Sequence, residues 1–401
     1  MSATTKKNPW LLCAFHALQM SLLPMAILAP FYKREIGMTQ HDIYVLQAIF
    51  GLFVALFEFP SGYLADRLGY RRTLVLATLG NVVGWAVYAG ADSFMGVAVA
   101  EAVLGVSLSL ISGADSALLY ESLLSSGKQS QFTLWTGRMK FWGQTAEGTA
   151  ALVAGGLFAL APRSPFVAQS ALWIVAFFVA LRLVEPAVHV RTEPRLGHVQ
   201  EMRKMVRVAF VENRRLRALI FLTIVMGMST FVPVWMISVF ASENGLPDTL
   251  LGLLWALANY AVALGALSSD RIRRRFGFTL AMVGCIVLVA AGYGSLAVVQ
   301  GSWVGFLYLL MTFARGVFAP MLAHLEQEEL PSGDRAGFMS LRSLAFRFSF
   351  LCLGPLVGWA FTEFGYRPVL PVLGAAFALL GVIALRGVLR ADRARAAQLE
   401  E

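Results

Sequence analysis

Long uncharged runs are the feature that most constrains this chain. Ile220–Ala241 and Phe278–Ala314 contain no charged residue, and Thr73–Ala91 repeats the pattern. A helix needs about 20 apolar residues to cross a bilayer, so the second run is long enough for nearly two crossings. Only 14% of the 401 residues are charged and 58% are hydrophobic, whereas a soluble domain carries roughly 25% charged residues. The sequence therefore predicts a protein embedded in lipid.

Apolar segments of this length recur along the whole chain, separated by short polar connections. The run Trp10–Phe31 follows Lys6 and Lys7, but it is too long for a signal peptide and lacks a small-residue cleavage site, so it is interpreted as the first retained helix. The sequence predicts an all-α integral membrane protein of about twelve transmembrane helices. They are expected near 10–31, 41–65, 72–91, 94–121, 132–160, 165–184, 217–240, 248–268, 278–299, 303–328, 337–362 and 367–389.

One long basic connection divides these helices into two sets of six. The expected domains are a first bundle at 1–184, a linker at 185–216, and a second bundle with a polar tail at 217–401. Within the linker, Val199, Met202, Val206 and Phe210 recur at helical spacing. This spacing predicts an amphipathic helix on the membrane surface, with a simple solvated linker as the alternative.

The distribution of Lys and Arg predicts the orientation in the membrane. Basic residues concentrate on alternate connections, with the largest groups at Arg182–Arg217 and Arg271–Arg275, whereas the other connections carry only Lys33, Arg34, Arg163 and Arg367. Cytoplasmic loops carry the excess of positive charge. We therefore expect a multi-pass protein of the cytoplasmic membrane with both termini in the cytoplasm.

A short motif occurs twice, once in each set of helices. The first copy is Gly62-Tyr-Leu-Ala-Asp66-Arg67-Leu-Gly69-Tyr-Arg71-Arg72, and the second is Gly265-Ala-Leu-Ser-Ser-Asp270-Arg271-Ile-Arg273-Arg274-Arg275-Phe-Gly277. Both are tight turns in which Asp-Arg is followed by further arginines, about 204 residues apart. A repeat at this spacing indicates that the two sets share one architecture.

The first copy resembles the GxLaDrxGrrxxl signature of the major facilitator superfamily, and the second copy matches it in degenerate form. Helix number, basic central loop and duplicated signature extend the resemblance over essentially the whole chain. It implies two pseudo-symmetric six-helix bundles and a secondary transporter that works by alternating access. It does not indicate a substrate.

The signature residues are the candidates for a cytoplasmic gate. Gly62 is expected to allow two helices to approach closely, Asp66 to face a helix N-terminus, and the arginines to meet carboxylates or lipid headgroups. The hypothesis is a latch that closes the cytoplasmic side; the alternative is a static anchor. The candidate residues are Gly62, Asp66, Arg67, Gly69, Arg71, Arg72, Asp115, Glu121 and Arg138 in the first half, and Asp270, Arg271, Arg274, Glu326, Glu328 and Arg342 in the second.

Charged residues inside the predicted spans are candidates for proton coupling and substrate binding. A charge at the bilayer centre costs about 2.5–3.5 kcal/mol on insertion scales, so a retained one usually faces a cavity or a partner. Glu147 and Glu101 are the predicted proton carriers, because burial favours the uncharged form of a carboxyl; alternatively each is held neutral or paired. Arg315 and Arg347 could attract an anionic substrate or be fixed in ion pairs. Trp142, Trp235, Asn259 and Tyr260 could line a central cavity.

The fourth helix departs from the family pattern. Related proton antiporters often carry an arginine four residues before a glycine in this helix, whereas here Glu101 precedes Gly105. The role of that arginine is therefore not transferred to this chain.

Other classes of function lack the residues they require. There is no phosphate-binding GxxxxGK[ST] loop, no basic aromatic platform for nucleic acid, and no Cys/His cluster for a metal. Five scattered histidines do not suggest an enzyme, and no cofactor is expected. The sequence favours a monomeric, proton-coupled permease, possibly an exporter, in contact with membrane lipids. The alternative is an uptake carrier or facilitator for an anionic or zwitterionic metabolite such as a siderophore.

Overall fold

The computed structural model describes residues 5–186, 206–329 and 335–400, and within these ranges the chain is helical with no strand. The all-α prediction is confirmed. Val199 and Met202 of the expected amphipathic helix lie outside the described residues. Val206 is helical, and Phe210 lies in a single π-helical turn, Val208–Glu212.

Fourteen helices are numbered here in chain order. The first half contains α1 (Asn8–Met20), α2 (Leu28–Glu35), α3 (Gln40–Leu68), α4 (Tyr70–Gly90), α5 (Phe94–Ile111), α6 (Ala114–Ser125), α7 (Phe132–Leu160) and α8 (Ser164–Leu181). The second half contains α9 (Arg214–Phe231), α10 (Val234–Glu243), α11 (Leu251–Val298), α12 (Leu309–Glu328), α13 (Arg335–Phe364) and α14 (Tyr366–Glu400).

Three predicted transmembrane helices are interrupted. The first is split between α1 and α2 by a 3-10 turn that contains Pro24, and the seventh is split between α9 and α10 next to Pro233. Proline disrupts a helix because it has no N–H to donate and its ring clashes with the preceding turn. The fourth breaks at Gly113, whose φ of +84° is readily adopted only by glycine. The sequence predicted each of these helices in one piece.

Two other predicted helices are joined. The eighth and ninth form the single element α11, which bends at Gly277 with φ +75°. Ten helical stretches in the described residues are long and apolar enough to cross a membrane, and one of them, Asp248–Val298, has 51 residues. Counting that stretch as two crossings and adding α7 gives twelve.

Several helices begin at side chains that satisfy free backbone N–H groups. Thr39 and Asp42 form a reciprocal capping box at the start of α3. Ser93 accepts a hydrogen bond from the N–H of Gly96 at the start of α5, and Asn213 accepts one from Leu216 at the start of α9. Such caps stabilise a helix by about 1 kcal/mol each, and here they set where the crossings begin.

The chain forms two compact units. The first comprises Met1–Arg191 together with Pro247–Ala256, and the second comprises Thr192–Leu246 and Leu257–Glu401. In the first unit α4 packs against α3, α5 and α8, and in the second α9 packs against α12, α13 and α14.

The short segment Pro247–Ala256 packs as part of the first unit although it follows the linker in sequence. A Cβ atom on Gly252 would lie 1.9 Å from the carbonyl oxygen of Ala151, and one on Gly155 would lie 2.7 Å from that of Asp248. These glycines therefore permit backbone contact between this segment and α7. Arg34, at the end of α2, forms an ion pair with Asp248 in the same unit.

Candidate functional site

Glu101 lies at the centre of a buried polar cluster in the first unit. It is on α5 and only 4% exposed, and its Oε1 accepts hydrogen bonds from three side chains on three other helices. The donors are Tyr88 Oη on α4 at 2.6 Å, Gln47 Nε2 on α3 at 2.8 Å and Tyr32 Oη on α2 at 3.0 Å. We call these four residues the Glu101 cluster. None of the described cationic side chains pairs with its carboxylate.

Aromatic rings and glycine contacts hold this cluster in place. The Tyr88 ring stacks on Phe166 with a centroid separation of 5.3 Å and on Trp85 at 5.2 Å. One turn below Glu101, a Cβ on Gly105 would lie 2.9 Å from the carbonyl oxygen of Phe50. Because Gly105 has no side chain, α5 can approach α3 closely enough for Gln47 to reach the carboxylate.

The hydrogen bonds of the cluster can be counted. The two tyrosine hydroxyls also contact each other, so Tyr32 Oη, Tyr88 Oη and Glu101 Oε1 form a triangle with three oxygen–oxygen contacts. Each hydroxyl supplies one proton, and an ionised carboxylate supplies none, which leaves one contact with lone pairs facing each other. A protonated Glu101 supplies the third proton and completes the ring. The cluster can therefore hold Glu101 in either protonation state.

A second buried carboxylate, Glu326 on α12, has the opposite environment. It is 1% exposed, its Oε2 accepts a hydrogen bond from Arg342 Nη1 on α13 at 2.7 Å, and its Oε1 accepts one from Thr223 Oγ1 on α9 at 2.7 Å. The structure thus brings together Glu326 and Arg342 from the predicted gate. Glu326 and Arg342 therefore form a buried ion pair between α12 and α13.

Glu185, the first residue of the predicted linker, contacts the first signature loop. Its carboxylate accepts hydrogen bonds from the backbone N–H of Tyr70 at 3.0 Å and of Arg71 at 2.7 Å. It therefore caps the N-terminus of α4, where a negative charge is favoured. Gly69 has φ +88° and a Cβ there would lie 3.0 Å from this carboxylate, so both its conformation and its size are required.

The arginines of this loop make local contacts. Arg71 donates from Nη2 to the carbonyl of Leu181 at 2.8 Å, and the Arg67 guanidinium lies 5.1 Å from the centre of the Tyr63 ring. Arg72 is exposed, and the side chain of Asp66 lies outside those described. The close approach expected at Gly62 is not found, because no described atom would lie within 4 Å of a Cβ there.

The other gate candidates of the first half lie elsewhere in the described structure. Asp115 is 4.0 Å from His16 Nδ1 and accepts a hydrogen bond from the N–H of Ser116. The Arg138 guanidinium lies over the rings of Trp10 and Trp135. Glu121 is half-buried. Among the described residues neither carboxylate forms an ion pair with Arg67, Arg71 or Arg72.

The second signature loop is built differently from the first. Asp270 pairs with Arg274 one turn later on the same helix, at 2.7 Å, and both side chains are largely exposed; Arg271 is exposed as well. Here the initial glycine does permit a close approach, since a Cβ on Gly265 would lie 2.3 Å from the carbonyl oxygen of Phe313 on α12.

The proposed cavity residues are distributed between the units. In the first, Trp142 is 45% exposed, and Glu147 is half-buried with a hydrogen bond from Gln144 at 3.2 Å. In the second, Trp235 is buried against Phe231 and Tyr260 is 55% exposed. Asn259, Arg315 and Arg347 are half-buried. Arg315 has no ion pair among the described residues.

A further charged cluster, absent from the sequence-based candidates, lies at the edge of the spans of the second unit. Glu329 accepts hydrogen bonds from Arg215, from Arg395 at 2.7 Å and from Asn213 at 3.0 Å, and Arg215 also pairs with Asp392. We call these five residues the tail cluster. Burial raises the pKa of the Glu329 carboxyl, but hydrogen bonds from Asn213 and Arg215 and the charges of Arg215 and Arg395 outweigh burial and hold this pKa below its ordinary value.

Twelve crossings in two units, with carboxylates buried within the spans, are typical of an integral membrane transporter. Residues 10–337 match the family model of the Major Facilitator Superfamily. The chain belongs to this family, and its members transport by alternating access. The fold predicted from the signature is therefore confirmed.

Two relatives from Escherichia coli are similar in sequence. The class B tetracycline resistance protein is 24% identical over 307 residues, covering 74% of this chain and 73% of the relative. The class E tetracycline resistance protein is 25% identical over 285 residues, covering 69% and 68%.

Solved structures agree with the fold. The nucleoside transporter NupG, as a D323A mutant, superposes with a TM-score of 0.80 at 13% identity, covering 96% of this chain and 99% of NupG. A bacterial homologue of the human lysosomal transporter Spinster gives 0.77 at 14% identity, with 98% of each chain covered. A POT peptide transporter mutant gives 0.76 at 14%, covering 96% and 95%. At these identities the likeness establishes the fold and not the substrate.

Proposed function

We propose that this protein is a proton-coupled exporter of a small molecule and that Glu101 carries the proton. The observation that supports the proposal most directly is the triangle of oxygens in the Glu101 cluster. A buried carboxylate surrounded only by neutral donors can exist in both protonation states, because no cation requires it to remain charged. Proton uptake completes the hydrogen-bond ring, and proton release leaves an anion that still has up to three donors.

The cluster connects four helices, so a change of protonation can affect their packing. Tyr32 lies on α2, beyond the interruption at Pro24, and it is tied to Glu101 and Tyr88 by hydrogen bonds. When Glu101 loses its proton, one contact of the triangle loses its hydrogen bond. The resulting repulsion favours separation of α2 from α4 or α5, which would couple the proton to a conformational change.

Glu147 remains the second candidate for the proton. It is half-buried and accepts a hydrogen bond from Gln144 in the same helix. We rank Glu101 first because its hydrogen bonds come from three other helices, so a change in its charge acts directly on helix packing.

Export is favoured by the named relatives. Both are resistance proteins of a transport family, and a transporter protects a cell from a compound by lowering its internal concentration. We propose the cytoplasmic membrane as the location, with both termini and both signature loops on the cytoplasmic side, as the distribution of Lys and Arg favours.

We also propose that the signature loops form part of a cytoplasmic gate, with Glu185 as an additional member. Glu185 fixes the start of α4 beside the first loop, and Glu326 with Arg342 ties α12 to α13 in the other unit. Buried ion pairs of this kind have discrete paired and unpaired states, as a latch requires.

Uptake of an anionic or zwitterionic metabolite is the second candidate. The observation that favours it is Arg315, a half-buried arginine within α12 that forms no ion pair among the described residues. A guanidinium in a membrane span usually faces a partner or a cavity, and a carboxylate or phosphate on the substrate could provide that partner.

The test uses everted membrane vesicles with an imposed pH gradient and a fluorescent weak base that reports it. Tetracycline is the first probe, because both sequence relatives are tetracycline resistance proteins. We expect the wild type to dissipate the gradient when the drug is added. Glu101→Gln should abolish this response, and the matched variant Glu147→Gln should retain it. The reverse result would identify Glu147, and not Glu101, as the proton carrier.

A second measurement does not depend on the substrate. Infrared difference spectra recorded on alkalinisation should show the loss of a carboxylic acid signal in the wild type, and this signal should be missing in Glu101→Gln. A carboxylic acid signal that persists unchanged in Glu101→Gln would contradict the assignment, whatever compound the protein transports.

A further inference from the structure

A cleft in the second unit combines an apolar floor with arginines. It has a volume of ≈ 600 Å³ and lies between the π-helical turn, α9 and α14. The floor includes Phe210, Ile220 and Phe221, and the charged lining residues are Arg214, Arg217 and Arg390. No acidic residue of the described ranges is part of this lining. We call it the arginine cleft.

The arginines of α9 fall into two groups according to their partners. Arg215 points into the tail cluster, where Glu329 and Asp392 neutralise it. Arg214 and Arg217, on either side of it in sequence, line the cleft instead. Arg217 donates to the carbonyl of Phe210 at 3.0 Å, and neither Arg214 nor Arg390 forms an ion pair among the described residues. Within the described part of the chain, the positive charge of Arg214 and Arg390 is therefore not compensated by an acidic side chain.

The position of the cleft along the helices fits the edge of a bilayer. Arg214 is the first residue of α9, and Arg390 lies one turn beyond Arg386, at which the uncharged part of α14 ends. The apolar floor thus continues toward the hydrocarbon, while the arginines lie at the level of the lipid headgroups. Phe221 is 45% exposed, which leaves apolar surface available to an acyl chain.

From this combination we infer that the arginine cleft is a binding site for an anionic phospholipid, whose phosphate meets the three arginines and whose acyl chain covers the apolar floor. Basic pockets between transmembrane helices bind such headgroups. A soluble anion would use the charge but leave the floor exposed, and a neutral lipid would use the floor but leave the arginines without a counterion. An anionic lipid satisfies both surfaces.

The test places the purified protein in nanodiscs of phosphatidylcholine with and without phosphatidylglycerol and measures its unfolding temperature. Native mass spectrometry after release from the nanodiscs then shows which lipid the protein retains. The wild type should retain phosphatidylglycerol and unfold at a higher temperature in its presence. Arg214→Gln/Arg217→Gln/Arg390→Gln should lower the affinity for phosphatidylglycerol by about 100-fold, at about five-fold for each arginine. The matched control Arg273→Gln/Arg275→Gln/Arg393→Gln removes the same charge outside the cleft and should behave as the wild type.

Two outcomes would overturn the site. If both triple variants lose phosphatidylglycerol equally, the preference reflects overall charge and not the cleft. If glycerol 3-phosphate, which has no acyl chain, stabilises the wild type as much as the lipid does, the cleft binds a free phosphate. If the cleft triple variant fails to fold, the single variant Arg217→Gln is compared with Arg393→Gln instead. We expect Arg217→Gln to bind phosphatidylglycerol about five-fold more weakly than Arg393→Gln.

Discussion

Among the described residues, each unit contains a carboxylate that is at most 4% exposed, and the two units hold it in opposite ways. In the first unit Glu101 receives hydrogen bonds from two tyrosines and a glutamine. In the second, Glu326 receives them from an arginine and a threonine. Neutral donors allow the carboxyl of Glu101 to gain or lose a proton, whereas Glu326 forms an ion pair with a guanidinium. The two units therefore differ in the chemistry of their buried carboxylates, although their architecture is similar.

The buried tyrosines of the two units also differ in the groups that accept their hydrogen bonds. Tyr32 and Tyr88 donate to Glu101, whereas Tyr293 and Tyr308 donate to the backbone carbonyls of Ser229 and Thr230, close to the interruption before Pro233. In the second unit the hydroxyls satisfy backbone groups released by a helix break. The same residue type thus belongs to the proposed proton site in one unit and stabilises a helix break in the other.

The largest expected effect comes from breaking the fixed pair. Arg342→Gln removes the cation from a carboxylate that is 1% exposed, and breaking a buried ion pair destabilises a protein by about 3–5 kcal/mol. We expect a marked fall in the unfolding temperature in detergent. Glu326→Gln/Arg342→Gln should recover most of that loss, because it leaves no unpaired charge; a double variant as unstable as the single one would contradict the ion-pair account.

A smaller effect is expected from removing one hydroxyl of the Glu101 cluster. Tyr88→Phe deletes the 2.6 Å hydrogen bond to Glu101. A charged acceptor loses more from such a deletion than a neutral one, so the neutral form becomes relatively more stable and the proton is released at higher pH. The pH profile of transport should move toward alkaline pH by about one unit, since one unit corresponds to about 1.4 kcal/mol.

The control for that shift is Tyr293→Phe. It removes a buried hydroxyl of the same kind from the second unit, where it donates to the carbonyl of Ser229. We expect some loss of stability and an unchanged pH profile. A shift of equal size in both variants would mean that the profile reports general packing and not the Glu101 cluster.

The smallest expected effect on stability is the difference between variants of the two signature loops. Glu185→Gln weakens the cap on α4, and losing such a cap and its charge costs about 1 kcal/mol. Asp270→Asn removes an exposed pair within one helix, which contributes about 0.3–0.5 kcal/mol. Thermal unfolding in detergent should therefore separate the two variants, with Glu185→Gln the less stable. Equal unfolding temperatures would indicate that the two loops are equivalent.

The sequence was sufficient to predict the elements that depend on hydropathy and on motif spacing. Uncharged runs located the crossings, the repeated Asp-Arg turns related the two halves, and Glu101 was identified from its charge inside a span. Glu326 and Arg342 were assigned to the same gate region, and the structure joins them directly. Each of these features is local, or follows from the order of segments along the chain.

The partners of the buried carboxyls could not be predicted in the same way. Tyr32, Gln47 and Tyr88 reach Glu101 from three different helices, and their convergence depends on how each helix is rotated about its axis, which hydropathy does not fix. The role expected for Gly62 was wrong, because the close approach lies at Gly105 in the first unit and at Gly265 in the second. Glu185 was missed because it lies next to the linker, far in sequence from the loop that it caps.

The tail cluster connects the last helix, α14, to two other helices of the second unit. Glu329 at the end of α12 is held by Arg215 from α9 and by Arg395 from α14, and Asp392 closes the set. Three helices that meet nowhere along the sequence are thereby fastened at one edge of the membrane. A chain shortened just after Arg390 would lose two of the four charges and leave α14 to fray where it emerges from the lipid.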